Sequence, residues 1–229
     1  MVYPSTLLKA SFMAGKEFFR LPARGMAPRL VAASSMPPVV VPIRSIGPGH
    51  TERITAHLLA LSAADRYLRF GYAANNTYIA RYVAGLDFER DEIFGIYNRK
   101  LELIAMAHLA FSTDPELQSC AEFGVSVLAH ARGRGYGARL FDRAVMHSRN
   151  EGVQMMFIHA LSENTVMLNI ARKAGAMVVR DGSETEAYLK VQPADLDSRM
   201  SEMLDEQIAQ TDYRLKVQAK KFWGFLARG

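Results

Sequence analysis

The sequence predicts an α/β protein built on a mixed, mostly antiparallel sheet of about seven strands, with helices on both faces. Three observations lead there. Three β-rich stretches follow one another with only short turns between, the arrangement of an antiparallel meander. A strand-to-helix unit built on glycines comes next and leads into the wholly apolar run "MMFIHAL" at 155–161, as expected of a strand covered on both faces. Finally, 49% of the 229 residues are hydrophobic, enough to bury a sizeable core.

The elements follow in order. Residues 1–38 contain Pro4, Pro22, Pro28, Pro37 and Pro38 with Gly15 and Gly25, so no long helix runs through them. They are assigned to a basic, flexible arm, with an organelle-targeting segment as the sharper reading. "VVVPIRSI" at 39–46 reads as a first strand ended by Gly47-Pro48-Gly49. Helical spacing of Ile54, Leu58, Leu61, Tyr67, Phe70, Ile79, Tyr82 and Val83 fills 51–85, with breaks near Ser62 and at 71–76. "EIFGIYN", "LELIAMAHLAF" and "AEFGVSVL" are the three meander strands, and "STDPELQ" is a turn. Leu140, Phe141, Ala144, Val145 and Ser148 share one helical face, stopped at Gly152. A second helix spans about 164–174, and "AMVVR" and "EAYLKV" complete the sheet within a domain of 39–192. Residues 193–229 form a further amphipathic helix, with Leu204, Ile208, Leu215, Ala219, Phe222 and Leu226 on one face. That face either docks on its own domain or makes a homodimer or partner contact.

Charge and composition exclude several classes. The net charge is +5, but Lys9, Lys16, Arg20, Arg24 and Arg29 stand against Glu17 alone in the first 38 residues, a surplus of +4. The remainder is nearly neutral and offers no general footprint for nucleic acid. No apolar run approaches the roughly 20 residues of a spanning helix, so no membrane partner is expected. A single cysteine, Cys120, excludes an intrachain disulfide and fits a reducing, cytoplasmic compartment. The six histidines show no metal-ligand spacing, and no metal is expected.

The chemistry concentrates in "EFGVSVLAHARGRGYGARLF" at 122–141. A glycine-rich turn between strand and helix points unpaired N–H groups at one spot, where the helix dipole adds about half a positive charge. Gly133, Gly135 and Gly137 allow close approach of an anion, and Arg132 and Arg134 supply charge-assisted bonds suited to phosphate. A Walker loop is absent. The dinucleotide pattern G-x-G-x-x-A matches Gly133, Gly135 and Ala138, leaving a dinucleotide-binding oxidoreductase as one alternative. Against it, "LAHAR" separates strand from glycines, and Glu163 lies 30 residues past the first glycine, where the fingerprint wants an acid after about 20.

Val127 followed by Arg132-Gly133-Arg134-Gly135-Tyr136-Gly137 and an amphipathic helix resembles motif A of the Gcn5-related N-acetyltransferases (GNAT). Asn164, Leu168, Lys173 and Gly175 are similar to a second motif of that family. "LSAADRYLRF", "YVAGLDFERDE" and "AEFGVSVL" resemble the acetyltransferase domain of bacterial Pat-type protein lysine acetyltransferases. The resemblance implies a GNAT fold with a splayed central strand pair, acetyl-CoA as cosubstrate, and transfer of an acetyl group to a small amine or a protein lysine. It implies that the backbone of Val125 and Val127 pairs with the pantetheine arm. It also implies that the N–H groups from Gly133 to Ala138, Tyr136 among them, hold the pyrophosphate, and that Asn164 contacts the cofactor. Asn164 also suits a helix N-cap.

Within the same resemblance Glu122 is the general base, its alternative being an edge-strand glutamate facing solvent. The family's usual proton donor, a tyrosine, is replaced by Ala171, and an aromatic after the glycine by Ala176. Tyr188 is a substitute donor or a half-buried strand aromatic. His108 and His159 read as satisfied core histidines, and Arg66, Arg69 and Phe70 either shape acceptor choice or lie on a solvated face. A domain that binds acyl-CoA without transferring it is the remaining alternative.

Overall fold

Ser62 and Asn75 cut the stretch from 51 to 85 into three helices, because the side chain of each caps a new start. In the computed structural model, which describes residues 41–114, 117, 119–181 and 184–226, these are α1 (Thr51–Leu59), α2 (Ala63–Phe70) and α3 (Asn76–Ala84). Ser62 accepts from the Asp65 amide at 3.1 Å and Asn75 from that of Tyr78 at 2.8 Å, each satisfying an otherwise orphaned donor. Gly71, at φ +79°, closes α2 in the left-handed conformation.

The strands are β1 (Arg44–Ser45), β2 (Glu92–Tyr97), β3 (Leu103–Phe111), β4 (Cys120–Val127), β5 (Met155–Leu161), β6 (Met177–Asp181) and β7 (Glu184–Lys190). Helix α4 (Tyr136–Asn150) joins β4 to β5, α5 (Thr165–Lys173) follows β5, and α6 (Leu196–Leu226) ends the described chain. The seven strands form one sheet in the order β1-β2-β3-β4-β5-β7-β6. All pairs are antiparallel except β4 with β5. The meander and the helical breaks lie where residue patterns predict them. The first strand is shorter: residues 41–43 are not strand, residues 39–40 and the arm over 1–38 lie outside the described residues, and so does part of the turn at 112–118.

Side-chain alternation divides β4 between two layers. Phe123 packs edge-on against Phe141 of α4 at 5.1 Å between ring centroids. Glu122, Gly124 and Ser126 face the opposite layer, α1–α3. Phe94, Phe123, Phe141, Leu140, Met156 and Ile158 are almost wholly buried, each worth about 1.5–3 kcal/mol in removed apolar surface.

Helix α6 packs in a way its apolar periodicity does not foretell. The side facing the domain is polar: Arg143 of α4 reaches Glu202 at 3.7 Å and Glu206 at 3.3 Å, His147 reaches Glu202 at 2.6 Å, and Ser198 bonds Asn150 at 2.6 Å. Tyr213 lies under the Arg44 guanidinium at 4.1 Å, and Lys216 donates to the Tyr97 carbonyl at 2.9 Å. The apolar stripe stays largely outside these contacts, with Leu204, Ile208, Leu215 and Phe222 exposed. The reason is the buried Arg143, whose guanidinium demands carboxylates more strongly than the surface of α4 demands further apolar cover.

Candidate active site

The centre of the sheet opens between β4 and β5. Their ladder runs from Cys120↔Met155 to Phe123↔Ile158 and stops there, although β4 continues to Val127 and β5 to Leu161. On the other side β4 stays bonded to β3, with Val125 opposite Ala107 and Val127 opposite Ala105. The bonds Leu128 N–H to Ile104 C=O and Cys120 C=O from Ser112 N–H mark the even-numbered residues of β4 as those bonded to β3. Alternation along an antiparallel strand therefore turns the amides of Val125 and Val127 toward β5, beyond the end of its ladder. A strand edge is thus presented inside the sheet, the geometry that accepts an extended amide chain as an added strand.

The same strand leads into the glycine turn. Gly133 and Gly135 adopt φ +75° and +74°, where an L side chain is strained. The backbone passes through them directly into α4, with Gly135 as its N-cap. The first helical bond there runs from Arg139 N–H to Gly135 C=O at 3.1 Å. Among the described residues no acceptor meets the N–H groups of Gly133, Arg134, Gly135, Tyr136, Gly137 and Ala138. A methyl built on Gly133 or Gly135 would touch nothing within 4 Å, so the concavity lies open. Unpaired amides at a helix N-terminus are a geometry able to accept an anion.

The two arginines differ. Arg134 is exposed and has no acid partner among the described residues. Arg132 is engaged: Nε donates to the Val127 carbonyl at 3.2 Å and Nη2 pairs with Asp65 of α2 at 2.5 Å. It ties the turn to the helical layer as well as lending charge. Ser62 and Arg132 hold the Asp65 carboxyl below the usual carboxylate range, outweighing partial burial, which acts the other way. Asn164 caps α5, its Oδ1 accepting from Met167 N–H at 3.2 Å, which leaves its amide hydrogens for another acceptor.

On the α1–α3 face, Glu122 sits between Ala110 of β3 and Phe157 of β5, just before the ladder ends. It is half-buried on the middle strand and not at an edge. Beside it the Arg69 guanidinium covers Gly124, donates to Tyr82 Oη at 3.2 Å and lies 5.9 Å from the centre of that ring. Tyr82 reaches His108 Nδ1 at 2.7 Å, and His108 Nε2 reaches Asp91 at 3.0 Å. With a neutral ring the chain has one direction: Arg69 donates to Tyr82, Tyr82 to His108 and His108 to Asp91. Burial pushes the Tyr82 hydroxyl up, and the Arg69 cation opposes that push without cancelling it. Burial also favours the neutral Asp91 carboxyl, but His108 and Arg90 outweigh it and keep the group below its ordinary range.

His108 is thus a satisfied core histidine, as its apolar strand suggests. His159 is not in the core: its side chain is 31% exposed and lies 3.7 Å from Glu186. Tyr188 donates to Glu186 and meets the Phe157 ring edge-on. Burial and this carboxylate raise its hydroxyl far above the ordinary range, so it parts with a proton reluctantly. Ala171 is fully buried in α5. Cys120 is buried and free, and burial raises its thiol.

One further residue escapes sequence reasoning. His57 of α1 is 2% exposed; its Nδ1 donates to the Leu103 carbonyl at 2.8 Å and its Nε2 accepts from Ser126 at 2.8 Å. It pins β4 to β3 and α1 at the residue between Val125 and Val127. Among the described residues there is no group of three or more His, Cys, Asp or Glu able to hold a metal, and no helix long and apolar enough to cross a membrane.

Comparison with known proteins bears on this geometry. The family model described as Acetyltransferase (GNAT) family matches residues 54–176, more than half of the chain. A comparison with curated proteins found no significant match. Among solved structures the chain is similar to the GNAT domain of Streptomyces lividans PAT, at 19% identity and a TM-score of 0.56, over 65% of this chain and 89% of that one. It is similar also to an N-acetyltransferase from Staphylococcus aureus Mu50, at 14% and 0.52, over 66% and 98%. A GNAT-family acetyltransferase from Streptococcus pneumoniae gives 8% and 0.54, again over 66% and 98%. At these identities the likeness is one of fold.

Proposed function

The chain belongs to the acetyltransferase (GNAT) family, and from that premise we propose that it transfers an acetyl group from acetyl-CoA directly to a primary amine, on a small molecule or a protein lysine. The observation that carries the reading is the run of unpaired amides from Gly133 to Ala138 beside the open edge of Val125 and Val127. These suit a diphosphate joined to an amide-bearing arm, which is the chemistry of coenzyme A. Acetyl-CoA supplies the activated acyl group as a thioester.

The residues divide the remaining work. Val125 and Val127 align the arm by strand-like bonds, and the Val125 N–H is positioned for negative charge developing on the acyl oxygen. Glu122 takes a proton from the acceptor, an amine that at pH 7 is uncharged in only about one molecule in a few thousand. Asn164 offers its amide hydrogens to the arm. With Ala171 at the usual acid position and Tyr188 bound to Glu186, the sulfur departs as a thiolate, which a pKa near 8.5 permits. The single thiol, Cys120, supports a reducing, cytoplasmic setting.

Glu122→Gln tests the reading against lysine peptides and a panel of amines, with free thiol release as the signal. Turnover is expected to fall by about 10²–10⁴-fold, with acetyl-CoA affinity by calorimetry kept. Wild-type binding of acetyl-CoA with no transfer to any amine would favour a non-catalytic acyl-CoA-binding module, for which the missing tyrosine speaks. A thermal shift with NADH and none with acetyl-CoA would overturn the assignment.

A further inference from the structure

The free end of α6 is both basic and aromatic. Residues 213–226 contain Arg214, Lys216, Lys220 and Lys221 and no acid, whereas residues 39–212 carry 18 basic against 22 acidic side chains. Phe222, Trp223 and Phe225 are 59%, 67% and 77% exposed. Beside them the turn between β2 and β3 brings up Arg99 and Lys100, so a groove forms, lined by Arg99, Lys100, Lys216, Lys220 and Trp223. Its two acids are already engaged, Glu102 by Asn98 at 2.6 Å and Asp212 by Lys216 at 2.6 Å.

We propose that this end of the molecule docks on an anionic lipid bilayer. Lys220, Lys221, Arg99 and Lys100 meet headgroup phosphates, while Phe222, Trp223 and Phe225 enter the boundary with the acyl chains. A helix lying on a bilayer needs this pairing of cations with bulky apolar and aromatic side chains. The expectation of no membrane contact rested on the lack of a spanning segment, and a helix lying on the surface needs none. Leu204, Ile208, Leu215 and Phe222 have a spacing that also suits a second copy, but charge opposes it. At 100° per residue Asp205 and Asp212 fall on one flank of the stripe and Arg214 and Lys221 on the other. An antiparallel pair centred on the stripe brings like flanks together, and a parallel pair sets two basic ends side by side.

Trp223 is the only tryptophan in the chain, so its emission reports this surface alone. The full chain is mixed with vesicles of phosphatidylcholine or of phosphatidylcholine with phosphatidylserine. The expected result is a blue shift and co-sedimentation with the anionic vesicles only, weakening as salt rises. Lys220→Glu with Lys221→Glu should lower the apparent affinity at least about tenfold, and Phe222→Ser with Phe225→Ser should abolish the shift. The proposal is overturned by absence of any shift, by inorganic phosphate reproducing it, or by a blue-shifted dimer in vesicle-free solution. Vesicle binding that survives both double variants would also overturn it, by moving the contact to the basic arm.

Discussion

The Arg69 guanidinium lies flat on Gly124: a methyl group built on that glycine would sit 2.4 Å from Arg69 Cζ and 2.5 Å from both terminal nitrogens. The absent side chain is what lets a cation from α2 rest on the central strand where it parts from β5, two residues from Glu122. The obstructing atoms belong to the end of a flexible side chain, so Gly124→Ala is expected to displace Arg69 and not the strand. Loss of its bond to Tyr82 costs about 1 kcal/mol, a shift of a few degrees in melting midpoint. Turnover should fall more than that, with acetyl-CoA affinity kept, if Arg69 shapes the acceptor side. A change in acetyl-CoA affinity matching the fall in turnover would count against that role.

Two glycines of the turn separate folding from binding. Gly135 has φ +74° and open space around it, so Gly135→Ala carries only backbone strain, about 1–2 kcal/mol of stability. Gly137 lies inside α4 with ordinary room, the nearest atom to an added methyl being Ile170 Cδ1 at 3.6 Å. Gly137→Ala should therefore stabilise the fold by about 0.5–1 kcal/mol. Yet it places a methyl beside the amides assigned to the diphosphate, and acetyl-CoA affinity should drop. Denaturant melts and calorimetry on the two variants check both halves, and unchanged affinity in Gly137→Ala would place the diphosphate elsewhere.

Much of this site is legible in the sequence because it is built from local signals. Turn chemistry at Gly133 and Gly135, N-capping by Asn164 and alternation along "AEFGVSVL" each depend on neighbours within a few residues. What escapes depends on partners far along the chain. The separations between His57 and Ser126, Tyr82 and His108, and Arg143 and Glu206 are 69, 26 and 63 residues, and no periodicity encodes them. Helix α6 shows the limit most directly: its apolar stripe marks a face that buries well, while the direction of docking is decided by a buried arginine on another helix.

His57 predicts one pH dependence. Burial, aided by the Arg69 cation and opposed by the Leu103 carbonyl, pushes its pKa down to about 4 from 6.5. The unfolded chain then binds the extra proton between those values, so stability is full above pH 6.5 and declines as pH falls toward 4, by about 3 kcal/mol. Unfolding by urea at pH 7 and pH 4.5 measures the fall. His57→Gln should be less stable at pH 7 but show a smaller difference between the two pH values, and an unchanged difference would remove His57 as its source.

His147 predicts the opposite slope, confined to α6. Burial opposes its charge, yet the bond and charge of Glu202, with Glu92 and Glu151 nearby, raise its pKa above 6.5. Burial likewise opposes the Glu202 anion, and His147 and Asn150 hold that group below 4.5. The histidine's contribution is complete below pH 6.5 and lost as pH rises through its elevated value. The glutamate's is complete above pH 4.5 and lost as pH falls through its depressed one. Since this is one interaction counted from two sides, docking of α6 is firmest between about pH 4.5 and 6.5 and loosens on the alkaline side as His147 loses its proton. The contacts of Arg143 with Glu202 and Glu206 still hold the helix, so loosening should appear as faster amide exchange over residues 198–209 at pH 8.5 than at pH 6, after correction for intrinsic rates. In His147→Ala exchange should be fast at both pH values; if it stays slow, Arg143 alone sets the docking and the histidine contributes nothing to it.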